Sequence, residues 1–90
     1  MNNFIFSKHA EEQMLRRGIS RKTAMAVISQ PEEILVDDKD ATVVIFQSLV
    51  KEENQWFLLR IFINKDKTPN EIITLYKTSK IQKYYEGEIR

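Results

Sequence analysis

An imidazole is the side chain whose ordinary chemistry lets it take and return a proton near pH 7, and this chain has a single histidine, His9. His9, Gln13 and Arg16 recur at i, i+4 and i+7, a polar helical stripe beside the apolar pair Ala10 and Met14. The spacing sets the ring near a guanidinium, an arrangement that favours a neutral, base-competent imidazole. The reading without chemistry is a surface histidine near a helix start. A second constellation lies late in the chain. From Ile72 through Tyr85 no acid interrupts Thr74, Tyr76, Lys77, Thr78, Ser79, Lys80 and Lys83. Hydroxyls, ammonium groups and rings interleaved in this way supply what a phosphodiester needs: donors for nonbridging oxygens, counter-charge and a surface for base stacking. A basic strand end without function has the same composition.

Other chemistries find no residues. One histidine cannot build a multi-histidine metal site, and the absence of cysteine excludes disulfides, zinc knuckles and thiol catalysis. Asp37, Asp38 and Asp40 could suggest a magnesium cluster, but they fall in a turn-like stretch with no second ligand set. There is no glycine-rich phosphate loop. Metal-free, cofactor-free chemistry is what remains.

The elements that position these residues are legible from punctuation and period. Phe4 to Phe6 suits a short edge strand. Ser7 offers an N-cap and Gly18 a left-handed stop, giving a helix over Lys8 to Arg17; Ser20 and Pro31 bracket a second over Arg21 to Ser29. Strands follow at Glu33 to Val36, Thr42 to Val50, Trp56 to Asn64 and Glu71 to Lys77, separated by polar clusters that read as hairpin turns. Ile81, Tyr84 and Tyr85 suggest a short terminal helix. The expectation is one α+β domain over residues 1–90: a strand, two helices, an antiparallel meander packed on one sheet face by those helices, and a short C-terminal helix. Strict alternation puts Phe57, Leu59, Ile61 and Ile63 on one face with Ile73 and Leu75. Arg60 then shares the other with Thr74 and Tyr76, either snorkelling to solvent or binding a ligand.

Size and charge set limits. Ninety residues bury about 60% of their unfolded surface, enough for one modest core, so a site must be a shallow surface feature. The net charge of +1 hides a pattern: Met1 to Gln30 carries five cations and two acids, Pro31 to Phe57 two and seven, Leu58 to Arg90 seven and four. If the fold joins the two basic ends, a positive patch results, with Lys8 and Arg16 adding cations for a phosphate chain. No apolar run approaches the roughly 20 residues of a membrane helix. Met1 to His9 lacks the features of a signal peptide, which points to the cytoplasm.

The string Phe6-Ser7-Lys8-His9-Ala10, Met14, Arg17-Gly18-Ile19-Ser20, Pro31, Leu59-Arg60 and Thr74-x-Tyr76-x-Thr78-Ser79-Lys80-Ile81-x-x-Tyr84 resembles a bacterial family of small proteins carrying a domain of unknown function. That family is grouped with the RelE-like and BrnT-like toxins and the colicin-type nucleases, the barnase/EndoU/colicin/RelE assemblage. The resemblance implies a RelE-like fold and a metal-independent ribonuclease of toxin–antitoxin type. Such an enzyme cuts RNA by attack of the ribose 2′-hydroxyl on the adjacent phosphate, and its partner is a protein antitoxin. By position, His9 is the implied acid or base and Arg17 and Arg60 the phosphate clamp, with Thr74, Tyr76, Thr78 and Lys80 completing the site. A second proton carrier has to come from Tyr76, Lys80 or Glu12. The rivals are a noncatalytic nucleic-acid-binding or protein-interaction module using the same patch, and a structural subunit whose face of Trp56, Leu58 and Phe62 is covered by a partner.

Overall fold

Ser7 and Gly18 do what their types suggest. In the computed structural model, which describes residues 4–87, the Ser7 hydroxyl accepts from the Ala10 amide at 3.0 Å and donates to the Ile73 carbonyl at 2.9 Å. The cap of helix α1 (Lys8–Arg17) is thereby pinned to a strand 66 residues away. Gly18 ends α1 at φ 65°, in the left-handed region where a Cβ is penalised. Ser20 caps α2 (Arg21–Ser29) by accepting from Thr23 N. The domain bounds 1–90 extend past the described residues at both ends, and Met1 to Asn3 and Glu88 to Arg90 lie outside them.

Five strands form one mixed sheet in the order β1-β5-β4-β3-β2. They are β1 (Phe4–Phe6), β2 (Glu33–Val36), β3 (Val43–Glu52), β4 (Gln55–Asn64) and β5 (Asn70–Thr78), and α3 (Ile81–Tyr84) follows. The first strand pairs parallel with β5, while the remaining pairs are antiparallel. Between β3 and β4, Glu53 and Asn54 both take positive φ (49° and 66°), the two-residue turn whose twist matches a hairpin.

The core between α1, α2 and the sheet joins Ala10, Met14, Ala24, Val27 and Ile28 to Leu59, Ile61, Ile63, Ile72 and Leu75. Strict alternation along β5 fails at one point. Phe62 pairs with Thr74 but Ile63 pairs with Ile72, so Ile73 is the extra residue of a bulge. Ile72 therefore occupies the core, completely buried, and Ile73 is only half-buried. The bulge returns Leu75 to the helix face and leaves Thr74, Tyr76 and Thr78 opposite. α1 and α2 share one face as expected, and the short α3 packs on the other, where Ile81 joins Leu49 and Leu58 with Trp56, Tyr84 and Tyr85 around them. Leu58 is thus covered by the chain's own α3. No helix among the described residues is long and apolar enough to cross a membrane.

Candidate functional site

Strand register lines up four polar residues across the far face. Glu33 of β2 pairs with Gln47 of β3, Gln47 with Arg60 of β4, and Arg60 with Tyr76 of β5. Their side chains are hydrogen-bonded in the same order. Gln47 Nε2 donates to Glu33 Oε1 at 2.6 Å, Arg60 Nε donates to Gln47 Oε1 at 2.9 Å, and Arg60 Nη1 donates to Tyr76 Oη at 2.8 Å. Gln47 is completely buried and Arg60 is 9% exposed. Such a row is tolerated inside a sheet because each member satisfies its neighbour.

Rings wall the guanidinium. Arg60 Cζ lies 4.2 Å from the centre of the Tyr84 ring, 5.4 Å from Phe62 and 5.8 Å from Tyr76, and Phe62 and Tyr76 stack at 5.9 Å. The segment after α3 is held down here: the Tyr84 carbonyl accepts from Gln47 Nε2 at 2.9 Å, and Glu33 Oε2 accepts from the amides of Glu86 and Gly87 at 3.0 Å each. The Tyr84 phenol is held below the usual tyrosine range, first by its hydrogen bond with Lys83. Against the opposing effect of burial, the Lys83 charge, a hydrogen bond with Tyr76 and the Arg60 charge add to this.

The charge of Arg60 has no counter-ion among the described residues. Among the described residues no carboxylate pairs with it, and Glu33 is reached only through Gln47. A buried cation without a partner carries a large desolvation cost. Its Nη2 donors are unbonded but not sealed from solvent. More positive charge stands nearby. Arg17, at the end of α1, donates to the Leu75 carbonyl at 3.5 Å and lies 6.0 Å from the Tyr76 ring centre, and Lys83 lies 5.3 Å from the Tyr84 ring. The arrangement is suited to an anion: a fixed guanidinium, two flanking cations and aromatic walls.

The residues singled out from sequence divide accordingly. Arg17, Arg60 and Tyr76 are brought together, and Lys83 joins them through Tyr84. Thr74 and Thr78 flank Tyr76 on its face of β5, half-buried and paired with Phe62 and Leu58. Thr78 Oγ1 accepts from the amide of Lys80, which is exposed, as is Ser79. Lys8, His9, Glu12 and Arg16 lie exposed on α1, and no hydrogen bond or ion pair ties His9 to the row. Asp40 caps its own turn, accepting from the Thr42 hydroxyl and then from the Thr42 amide, which lowers its carboxyl below the usual range. Sequence reasoning missed Gln47, Glu33 and Tyr84. The one signal that could have found Gln47 is a glutamine inside an otherwise apolar strand.

The family model described as "Domain of unknown function (DUF4258)" matches residues 6–77, well over half of the chain and all of the sheet row except the strap at Tyr84. Neither the curated proteins nor the solved structures give a match.

Proposed function

Since the chain belongs to the DUF4258 family, a grouping that prescribes no reaction, we propose from its geometry that it is a metal-independent endoribonuclease of toxin type. In this reading it binds RNA through a phosphodiester held at Arg60. One observation supports the reading: a guanidinium nine-tenths buried, fixed by Gln47 and Tyr76, with no carboxylate partner among the described residues and with Nη2 donors left unbonded there. Phosphate oxygens meet those donors, with Arg17 and Lys83 adding charge. The 2′-oxygen attacks the adjacent phosphorus and the bond to the 5′-oxygen breaks, leaving a 2′,3′-cyclic phosphate and a 5′-hydroxyl. His9 takes the 2′-hydroxyl proton. Tyr76, whose oxygen accepts from Arg60, protonates the leaving oxygen. The RelE-like grouping and a protein antitoxin as partner belong to the same proposal.

Binding without cleavage is the second reading, favoured by the place of His9. Eight residues separate it from Arg17, about 12 Å along a helix axis, and nothing among the described residues orients its ring. Incubating the protein with single-stranded RNA in EDTA, beside His9→Ala and Arg60→Lys variants checked for fold by circular dichroism, separates the readings. Cleavage lost in both variants supports the enzyme. Binding that weakens in Arg60→Lys with no product in any sample leaves the binding module. RNA neither bound nor cut by the unmodified protein refutes both.

A further inference from the structure

The two edges of the sheet are finished differently. Beyond the three residues of β1, side chains of α1 take the carbonyls of β5: Ser7 donates to Ile73 and Arg17 to Leu75. At the other edge, β2, no side chain among the described residues caps the backbone from Ile34 to Val36. The Asp37 amide donates to the Val43 carbonyl at 3.0 Å, so by the alternation of an antiparallel ladder Glu33 and Leu35 turn their backbone groups toward β3. The N–H and C=O of Ile34 and Val36 therefore point outward. Such an edge is a template for a further strand unless lysine, proline or a bulge blunts it, and Glu33 to Val36 has none of these.

The side chains agree with the backbone. Ile34 and Val36 are 59% and 60% exposed, yet they pair with Phe46 and Val44, which pack on the core beneath α1 and α2. That core runs out to the edge as two bare aliphatic side chains, on the face opposite Gln47 and Arg60. Acids surround them. Residues 31–40 hold Glu32, Glu33, Asp37, Asp38 and Asp40 against Lys39 alone, and no ion pair among the described residues engages Asp37 or Asp38.

These charges argue against a second copy of the chain as the occupant. A symmetric antiparallel pair of β2 strands must match outward residues with outward residues, so its axis passes through Ile34, Leu35 or Val36. At Leu35 it sets Glu33 opposite Asp37, at Ile34 it sets Glu32 opposite Val36, and at Val36 it sets Asp38 opposite Ile34. The first register faces like charges, and the others place a carboxylate against each bare aliphatic group. A strand that brings cations has neither fault.

We propose that β2 is a docking edge for a partner protein, which adds as a sixth strand an extended segment of alternating apolar residues flanked by lysine or arginine. Its backbone bonds to Ile34 and Val36, its apolar side chains cover theirs, and its cations meet Asp37 and Asp38. The edge lies away from the Arg60 site, so the proposal stands or falls independently of the nuclease reading.

The probe is a synthetic peptide alternating valine and threonine between pairs of lysines, titrated into the nitrogen-15-labelled protein. The expected result is binding that shifts the amide signals of Ile34 and Val36. Affinity falls at least tenfold when glutamate replaces the peptide's lysines, when its central amides are N-methylated, and in Ile34→Lys. No binding, equal affinity for the lysine and glutamate peptides, or indifference to N-methylation or to Ile34→Lys overturns the proposal. So does concentration-dependent dimerisation of the free protein that Ile34→Lys abolishes, since a second copy then occupies the edge. The peptide comparisons use the unmodified protein and decide even if Ile34→Lys fails to fold.

Discussion

Replacing Gln47 with leucine keeps the volume of the side chain and removes the centre of the polar row. Three hydrogen bonds go: from Nε2 to Glu33 and to the Tyr84 carbonyl, and from Arg60 Nε to Oε1. The three orphaned groups do not weigh equally. Glu33 is half-buried and keeps the amides of Glu86 and Gly87, and Tyr84 is half-buried. Arg60, 9% exposed and with no carboxylate partner among the described residues, loses the neighbour that oriented its charge. With about 1–3 kcal/mol for each unpaired buried group, weighted this way, the loss is about 2–4 kcal/mol. A domain of this size holds roughly 5–13 kcal/mol in all. A midpoint shift of about 4–8 °C per kcal/mol then gives a fall of roughly 10–30 °C. Urea unfolding followed by circular dichroism measures it, with Lys67→Ala as control, since that exposed pair with Glu71 is worth under about 1 kcal/mol. A loss in Gln47→Leu no larger than in the control would refute the claim that Gln47 holds Arg60 in place.

Three further outcomes follow from particular contacts. Lys83→Met removes the ammonium that favours the Tyr84 phenolate, so the Tyr84 titration, read at 295 nm as the difference from a Tyr84→Phe protein, moves to higher pH; no movement, or a downward one, contradicts the cause assigned. At Gly18, with φ 65° and no atom within 4 Å of an added Cβ, alanine costs only the backbone strain, about 1–2 kcal/mol by denaturant unfolding, and a cost near zero would remove the need for a left-handed stop. If RNA meets Arg17, Arg60 and Lys83, the slope of log K against log salt is about −2 for a single strand, and a slope near zero would exclude phosphate contacts at these three.

Local chemistry was enough for the helices. Ser7, Gly18 and Ser20 act within a few residues of themselves, so α1 and α2 begin and end where their caps do. The long apolar strands were legible for the same reason, down to the hairpin at Glu53 and Asn54. The bulge at Ile73 was not, because it depends on how β5 fits between β4 and the cap of α1, a contact across 66 positions. The candidate site was half legible. Alternation set Arg60 with Thr74 and Tyr76, and the structure keeps them on one face. The partners that fix Arg60 come from register: Gln47 and Glu33 meet it only because β2, β3 and β4 pair in one particular way, and Tyr84 reaches it only because α3 crosses to the far face. The histidine stripe on α1 is where its period puts it, but period alone says nothing of its distance from the sheet.

The most direct measurement follows the Arg60 side chain itself. Its Nε–H, bonded to Gln47 in a buried site, gives a slowly exchanging signal in a proton–nitrogen spectrum. On titration with single-stranded RNA in EDTA, at low salt and in the His9→Ala background, that signal shifts together with the ring protons of Tyr76 and Tyr84. An Arg60 signal that stays in place while RNA binds elsewhere, or while none binds, contradicts the assignment of the buried guanidinium as the phosphate site.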